Sequence, residues 1–169
     1  MNDVLIRPYE PGDQPGVRWL YERTPPAGRT YVRPATVDPD LEQIAANYEA
    51  FWVAIEPTQD GDAVVGITGL ERAGSRAIGV PAPEFIDTSR PTARLHHVMV
   101  VPERQRRGVG RQLMHAAIDW ARGHGYAALI LETTAEQEAA VAFYEALGFS
   151  ELGRTTFKRW QMVWFGLEI

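Results

Sequence analysis

Two glycines between an apolar run and an amphipathic stretch have the spacing of an anion-binding turn. The apolar run, Leu95 to Val101, is interrupted only by His96 and His97 and stops at Pro102, which predicts a buried strand. Gly108 and Gly110 follow, and a helix with an apolar stripe is predicted behind them. A strand, a glycine turn and a helix present unpaired backbone N–H groups at the helix N-terminus. Such donors suit an anion with several oxygens, such as a pyrophosphate.

Arginines surround this turn and add positive charge to it: Arg104, Arg106, Arg107 and Arg111. An ordinary strand-to-helix connection with a solvated basic surface is the alternative, and the spacing alone does not separate the two. The turn is not a P-loop, because no lysine and hydroxyl residue follow its last glycine. It also lacks the third glycine of the dinucleotide-binding fingerprint.

Three side chains near the predicted strand ends could move protons. His96 and His97 are neighbours in a strand, so we expect them on opposite faces, with at most one facing a cleft. Histidine titrates near ~6.5, which suits proton transfer. Glu132 follows the apolar run Ala127 to Leu131, which predicts a central strand. Ligands bind beyond the carboxyl ends of such strands, although an exposed carboxylate without a function fits Glu132 equally.

Two segments resemble the signatures of the GNAT superfamily of acetyl-CoA-dependent N-acetyltransferases. Gln105 to Gly110 (QRRGVG) is similar to the family's cofactor-binding pattern, Gln/Arg-x-x-Gly-x-Gly/Ala. Glu136 to Phe149 (EQEAAVAFYEALGF) is similar to its next signature, Asn-x-x-Ala-x-x-Phe/Leu-Tyr-x-x-x-Gly-Phe. The close resemblance covers residues 94 to 153, and the N-terminal half matches only in the order of its elements.

The resemblance implies transfer of an acetyl group from acetyl-CoA to a primary amine by direct attack, with no metal. The pyrophosphate would bind the backbone N–H groups of Arg106, Arg107, Gly108, Val109, Gly110 and Arg111. The pantetheine arm would pair, like an added strand, with the backbone of Val98, Met99 and Val100. The N–H of Val100 would also hold the oxyanion. Gln137 stands where the second signature usually has Asn, so its contact with the cofactor would use a longer arm.

The resemblance also assigns catalytic roles. Tyr144 stands where the family has its general acid tyrosine, and its alternative is an aromatic side chain that only packs against the sheet. Glu132 is the first candidate for the general base, since some relatives carry a base at this position. His97 and His96 are its rivals. Arg94 occupies a position where many relatives have Glu, which removes that route to a base.

The remaining elements predict an α/β fold (α+β, with a mixed sheet), and the resemblance implies that this fold is GNAT-like. Antiparallel strands near residues 4–7, 51–55 and 63–70 precede the strand–helix–strand unit, and a hairpin of residues 149–152 and 160–167 closes the sheet. The resemblance implies that the central strands splay apart and that the cofactor strand is bulged. We also expect a helix after Asp38-Pro39, with Leu41, Ile44, Ala45 and Tyr48 buried, and another over residues 137–147, with Ala139, Ala140, Phe143 and Leu147 inward.

Two irregular stretches, residues 24–38 and 73–92, are candidates for substrate loops. Arg29, Tyr31 and Arg33 are the polar and aromatic side chains of the first stretch, and simple exposure is their alternative. The second stretch could be a lid or a spacer. The amine acceptor cannot be read from the sequence, and protein N-termini, lysines, polyamines, amino acids and aminoglycoside-like compounds all remain open.

Composition limits the class of protein. The 169 residues predict a single domain, 1–169, and the net charge of −5 gives no reason to expect nucleic acid or an acidic membrane as a partner. The absence of cysteine excludes disulfides, thiolate metal sites and a cysteine nucleophile. No signal peptide or membrane span is expected, so a cytoplasmic protein is predicted. The aromatic residues of the last strand, Trp160, Trp164 and Phe165, could support a homodimer or could be core.

Two other functions remain open at this stage. One is an acyl-CoA-binding or sensing module of the same fold that does not turn its ligand over. The other is an unrelated phosphate-binding α/β domain for a free nucleotide.

Overall fold

The computed structural model of the chain describes residues 4–24, 38–74 and 80–169. Within these ranges the strands are β1 Leu5–Pro8, β2 Ala50–Thr58, β3 Gly61–Arg72, β4 Thr92–Val100, β5 Ala128–Thr134, β6 Ser150–Phe157 and β7 Trp160–Glu168. The α-helices of these ranges are α1 Gln14–Arg23, α2 Ile44–Asn47, α3 Val109–Gly123 and α4 Glu138–Glu145. No helix in the described part of the chain is long and apolar enough to span a bilayer.

All described strands belong to one seven-stranded sheet in the order β1-β2-β3-β4-β5-β7-β6. Neighbouring strands pair antiparallel, except that β4 and β5, which are joined through α3, pair parallel. This topology confirms the predicted mixed α/β fold, with its antiparallel start, its strand–helix–strand unit and its closing hairpin. β4 and β5 are longer than predicted, because their apolar runs are extended by the charged residues Arg94 and Glu132, which pair with each other.

The main core lies between the sheet and α3. The helix buries Val109, Leu113, Ala117 and Ala121 against β2, β3 and β4. Gly66 of β3 allows this approach: a Cβ atom there would lie 2.9 Å from Leu113 Cδ1 and 3.2 Å from the Met99 carbonyl oxygen. The first turn of α3 therefore rests directly on the sheet, which fixes where the helix N-terminus points.

A smaller apolar cluster of Ala73, Ile86, Ile130, Met162 and Trp164 forms separately from the main core. Trp164 and Phe165 are completely buried in β7, which lies between β5 and β6. These two side chains are core, which was one of the two alternatives that the sequence left open for them.

The region after Asp38 is less helical than predicted. It forms one 3-10 turn, Leu41–Gln43, followed by the single turn of α2. Leu41, Ile44 and Tyr48 are buried as expected, whereas Ala45 is exposed. Ala139 of α4 is also exposed, against the prediction that it points inward.

The predicted irregular stretches are only partly described. Residues 80–91 contain no helix or strand, in agreement with the prediction. Arg29, Tyr31 and Arg33 lie outside the described residues.

Candidate active site

An opening separates the carboxyl-terminal halves of β4 and β5 at the centre of the sheet. The two strands pair only from Thr92 with Ala128 to Arg94 with Ile130. β4 nevertheless continues to Val100 and β5 to Thr134. The strands therefore splay as the family resemblance implied, at the sheet edge where parallel strands bind ligands.

A β-bulge in β4 lies beside this opening. His96 pairs with Gly69 and Met99 pairs with Ile67, so β4 has one residue more than β3 over this interval. Within it, His97 has a φ of 51°, a left-handed conformation that is uncommon outside glycine. The bulge implied by the resemblance is present and is centred on His97.

The direction of the backbone groups decides which residues of β4 a ligand can reach. Val101 donates its N–H to the carbonyl of Val65 in β3 (3.0 Å). Backbone groups of successive strand residues point to opposite edges, so Met99 also faces β3, whereas Val98 and Val100 face the opening. The register therefore does not favour the backbone contact predicted between Met99 and pantetheine, and the contacts predicted for Val98 and Val100 stay predictions. The Val100 carbonyl already accepts a hydrogen bond from Gln105 Nε2 (3.0 Å). The Val100 N–H is therefore the backbone group of this residue that a ligand could use.

The N-terminus of α3 lies at one end of the opening. A Cβ atom on Gly110 would lie 3.8 Å from Val100 Cγ2 and 3.4 Å from Phe143 Cζ of α4. Gly108, with a φ of 86°, is the residue before the helix, and the N–H of Gln112 bonds its carbonyl (3.0 Å). The N–H groups before Gln112 have no intrahelical acceptor. Those of Val109, Gly110 and Arg111 therefore remain as donors for an anion.

Three of the four arginines near the turn are exposed: Arg106, Arg107 and Arg111. None of the three forms an ion pair with another residue of the described ranges. Arg104 differs, because its guanidinium pairs with Glu56 of β2 (2.7 Å). Gln137 precedes α4, and its Nε2 donates to Thr134 Oγ1 (3.2 Å).

Tyr144 lies on the buried side of α4. Its ring centroid is 6.1 Å from that of Phe149 and 6.0 Å from that of Phe165. Burial, with the nearby charge of Glu132, raises the pKa of the Tyr144 hydroxyl above the usual phenol value. The phenol therefore stays protonated and can act as a hydrogen-bond donor.

Glu132 lies inside β5, opposite Trp164 and two residues before the strand ends, and not at the strand end as predicted. Its Oε1 accepts from Arg94 Nη2 (2.5 Å) and its Oε2 from Arg94 Nε (3.1 Å). Arg94 also donates to the Val80 carbonyl (2.6 Å), and its guanidinium carbon lies 5.0 Å from the centre of the Trp164 ring. Both carboxylate oxygens of Glu132 are thus engaged by the buried guanidinium of Arg94.

His97 forms a hydrogen-bonded group with Asp40 and Tyr48. Its Nε2 lies 2.7 Å from Asp40 Oδ2, and the Tyr48 hydroxyl donates to the same oxygen. Burial by itself would raise the pKa of the Asp40 carboxyl, but the hydrogen bond and charge of His97, together with Tyr48, lower it to about 2. Burial and the Asp40 charge raise the pKa of the Tyr48 hydroxyl.

His96 lies close to this group and does not point to the other face of the sheet. The Nε2 atom of His96 is 2.9 Å from Glu71 Oε1. The Tyr48 ring lies close to both histidines, with its centroid 6.0 Å from that of His96 and 6.3 Å from that of His97. The prediction of opposite faces was wrong, because the bulge adds a residue and breaks the alternation of the strand.

Asp38, Asp40 and His97 are the residues that could hold a metal ion in the described part of the chain, with their ligand atoms within 4.8 Å of one another. The 2.7 Å between His97 Nε2 and Asp40 Oδ2 is a hydrogen-bond distance. Two ligand atoms of one tetrahedral zinc ion would be roughly 3.3 Å apart. The geometry therefore fits a hydrogen-bonded network better than a metal centre.

Sequence reasoning missed Asp40, Tyr48 and Glu71 as members of the site. Tyr48 had the pattern of a buried helical residue, and Asp40 that of an ordinary helix-start residue. No sequence pattern indicated these contacts, because Asp40 bonds His97 across 57 positions and Glu71 bonds His96 across 25.

The comparisons with known proteins agree with this geometry. The model of the acetyltransferase (GNAT) family matches residues 15–149. The chain belongs to this family.

Among its relatives is human N-acetyltransferase 8, which is 29% identical over 130 residues, covering 74% of this chain and 51% of that protein. The chain spans about half the length of the first curated relatives it matches. A putative GNAT acetyltransferase from Desulfovibrio desulfuricans superposes with a TM-score of 0.70 at 26% identity, covering 98% of this chain and 99% of that one. The putative acetyltransferase yncA of Salmonella typhimurium, solved with acetyl-CoA, has a TM-score of 0.71 at 22% identity and coverages of 98% and 94%.

Proposed function

We propose that this chain is an N-acetyltransferase that moves the acetyl group of acetyl-CoA to a primary amine. Family membership supports the reaction class, and one observation carries the proposal. The opening between β4 and β5 ends at the N-terminus of α3, where the N–H groups of Val109, Gly110 and Arg111 are available. An extended thioester and a diphosphate therefore have binding groups at one continuous site.

Acetyl-CoA would bind along this site through backbone groups. The diphosphate would accept hydrogen bonds from the amides that follow Gly108, and the three exposed arginines would add electrostatic attraction. The pantetheine amides would pair with Val98 and Val100, which face the opening. The acetyl group would then lie near the bulge at His97, because pantetheine continues along β4 away from α3.

His97 is the better candidate for the general base. Glu132 is held by both nitrogens of a bidentate contact with Arg94, so it would have to give up part of an ion pair to accept a proton. His97 instead has a carboxylate partner on one ring nitrogen and a second nitrogen that can accept a proton.

The chemistry follows from these positions. The amine must be neutral, and a lysine-like amine has a pKa of ~10.4, so a base must remove its proton. The nitrogen attacks the thioester carbonyl carbon, a C–N bond forms, and the oxyanion accepts a hydrogen bond from a backbone N–H of β4 beside the bulge. The C–S bond then breaks, and the thiolate becomes the thiol with the proton that the base removed.

Tyr144 would stabilise the leaving thiolate as a hydrogen-bond donor. Because its pKa is raised, complete transfer of its proton to a thiolate, whose acid has a pKa of ~8.5, is unfavourable. A short hydrogen bond from the phenol lowers the energy of the developing charge without that transfer.

Release of free thiol from acetyl-CoA, measured across an amine library, tests the proposal. Tyr144→Phe should lower kcat at least ~10-fold with an unchanged acetyl-CoA affinity. Tyr9→Phe, which removes a hydroxyl bonded to Gln14 away from the opening, is the matched control and should keep full activity. Tight acetyl-CoA binding without thiol release with any amine would instead indicate a sensing module. Thermal stabilisation by ATP or NAD but not by acetyl-CoA would contradict both functions.

A further inference from the structure

We propose that Asp40 is a positioning residue that holds the His97 imidazole with Nδ1 free to take the proton of the acceptor amine. This inference rests on the proposed function and assigns a residue outside both family signatures. It depends on the hydrogen bonds of Asp40, on the bulge at His97, and on the way in which the segment carrying Asp40 is anchored.

The hydrogen bonds determine which nitrogen of His97 carries the hydrogen. An ionised carboxylate only accepts hydrogen bonds, and Asp40 Oδ2 accepts one from the Tyr48 hydroxyl and contacts His97 Nε2 at 2.7 Å. His97 Nε2 must therefore be the donor. In the neutral imidazole the other nitrogen, Nδ1, is then an acceptor, which is the form that a general base requires.

The position of His97 in the bulge brings this acceptor to the ligand opening. The left-handed backbone of His97 turns its side chain out of the regular alternation, toward Tyr48 and Asp40. The next residue, Val98, is one of the two whose backbone faces the opening. The imidazole is consequently held next to the place where the proposed thioester ends, and the hydrogen bond to Asp40 restrains its rotation.

The segment that carries Asp40 is fixed at several points. Leu41 and Ile44 are buried in the main core. Asn47 Nδ2 donates to the Asp40 carbonyl (3.1 Å), and Gln14 Nε2 of α1 donates to the Leu41 carbonyl (2.7 Å). The side chains of His97 and Asp40 are 15% and 14% exposed, so solvent competes weakly for their hydrogen bond. This rigidity is what a positioning residue needs.

Several charged and polar groups surround His97. The titratable groups that face it are Asp40 and Asp38 from the segment before α2, Tyr48 after α2, His96 from β4, and Glu71, which contacts His96 from β3. The carboxylates outnumber the histidines, and among these groups Asp40 is the one that shares a hydrogen bond with the His97 ring.

Asp40→Asn tests this role in the full chain, since it removes the negative charge and keeps the shape. We expect kcat to fall ~10- to 100-fold, with the KM for acetyl-CoA unchanged within about twofold, because the carboxylate orients the base and does not bind the cofactor. The acidic limb of the kcat/KM pH profile should move, because Asp40 carries the negative charge that contacts the general base. A residue with only a structural role would lower activity at every pH and leave the limb where it was.

Glu42→Gln is the matched control, because Glu42 lies on the same segment and pairs with Arg18 at the surface. It should leave kcat and the pH profile unchanged. His97→Gln should lose as much activity as Asp40→Asn or more, and the double variant should be no worse than His97→Gln alone.

A second measurement does not depend on how any variant folds. The 15N chemical shifts of the histidine side chains in the unaltered protein report which ring nitrogen carries the hydrogen, and we expect Nε2–H for neutral His97. Nδ1–H at this residue, or an Asp40→Asn variant with unaltered kcat and pH profile, would overturn the inference while the acetyl transfer itself stands. Absence of thiol release by the unaltered protein with every amine would overturn the proposed function and the role of Asp40 together.

Discussion

Arg94 Nη2 lies 2.5 Å from Glu132 Oε1, and this ion pair joins β4 to β5 just where the two strands stop pairing. Arg94 is the last residue of β4 that pairs with β5, and Glu132 lies two residues beyond its partner Ile130. The side chains are only 4% and 11% exposed. The pair therefore links the strands at the start of the splay, and Glu132 has a structural explanation that does not need catalysis.

Glu132→Gln should destabilise the fold more than it harms the chemistry. Loss of one member of a buried ion pair leaves the other charge without its partner and typically costs ~3 kcal/mol or more of unfolding free energy. Urea denaturation measures this loss. We expect kcat to fall less than ~10-fold and its pH profile to keep its shape. If Glu132 were the general base, the substitution would instead remove the acidic limb of that profile.

Replacing both members of the pair is the matched control. Arg94→Met combined with Glu132→Leu removes both charges and fills the space with apolar atoms, so the double variant should recover most of the stability lost by Glu132→Gln. If the double variant kept its stability but lost its base-dependent pH profile, the assignment of the base to His97 would be wrong.

Gly108→Ala should weaken acetyl-CoA binding through the backbone. Among the described residues, a Cβ atom at this position would meet only Gln112 Nε2, at 4.0 Å, so space is not the obstacle. The φ of 86° is the obstacle, since an L-residue there is strained by about 1 kcal/mol or more. Relief of that strain would turn the amides of Val109 and Gly110 away from the diphosphate. We expect the KM for acetyl-CoA to rise ~10-fold.

Gly123→Ala provides the comparison for Gly108→Ala. Gly123 is the last residue of α3, and no atom of the described ranges lies within 4 Å of the position that its Cβ would take. Alanine should be neutral there or stabilise the helix by ~0.5 kcal/mol, with the KM for acetyl-CoA unchanged. Equal effects of the two substitutions on that KM would contradict the role of the α3 N-terminus.

The parts of the site that could be predicted are those that follow each other in sequence. Gly108 predicted the turn, the apolar stripe behind it predicted α3, and the two apolar runs predicted β4 and β5. The contacts of Glu132 and His97 could not be predicted, because each depends on a partner from a distant element. Arg94 engages Glu132 across a parallel pair, and Asp40 meets His97 because a bulge turns the imidazole toward it. Alternation along a strand predicts a side chain's face only while the register is regular.

The exposed arginines at the turn should act on acetyl-CoA as charges. Arg106→Gln and Arg111→Gln should each raise the KM for acetyl-CoA, by ~3- to 10-fold, without a change in kcat. Added salt should reduce the difference between each variant and the unaltered protein, because exposed charges are screened. Titration of acetyl-CoA at two ionic strengths checks both statements.

Arg104→Gln is the control for these two arginines. Its guanidinium pairs with Glu56 of β2, a carboxylate that is almost completely buried. The substitution should therefore lower stability and leave the KM for acetyl-CoA near its original value. A KM effect at Arg104 as large as that at Arg106 would mean that overall charge, and not position at the turn, attracts the cofactor.

The hydrogen bond between Asp40 and His97 should also appear in the pH dependence of stability. The pKa of Asp40 is lowered from 3.8 to about 2 in the folded protein. A depressed carboxyl pKa stabilises the fold fully above the unfolded value, and this contribution is lost as the pH falls through the folded value. The shift corresponds to about 2 kcal/mol of unfolding free energy.

The difference in unfolding free energy between the unaltered protein and Asp40→Asn should therefore be constant from pH 7 down to about pH 4 and shrink toward about pH 2. Urea denaturation at a series of pH values measures it. Asp13→Asn, which removes the partner of Arg7, is a comparison at a different site, because the pKa of Asp13 is also lowered. The difference in unfolding free energy between the unaltered protein and this variant should also shrink as the pH falls. If His97→Gln is made first, the decline due to Asp40 should become smaller, because His97 supplies the hydrogen bond and charge that depress the Asp40 pKa. A decline of the same size in the His97→Gln background would show that the two side chains are not coupled.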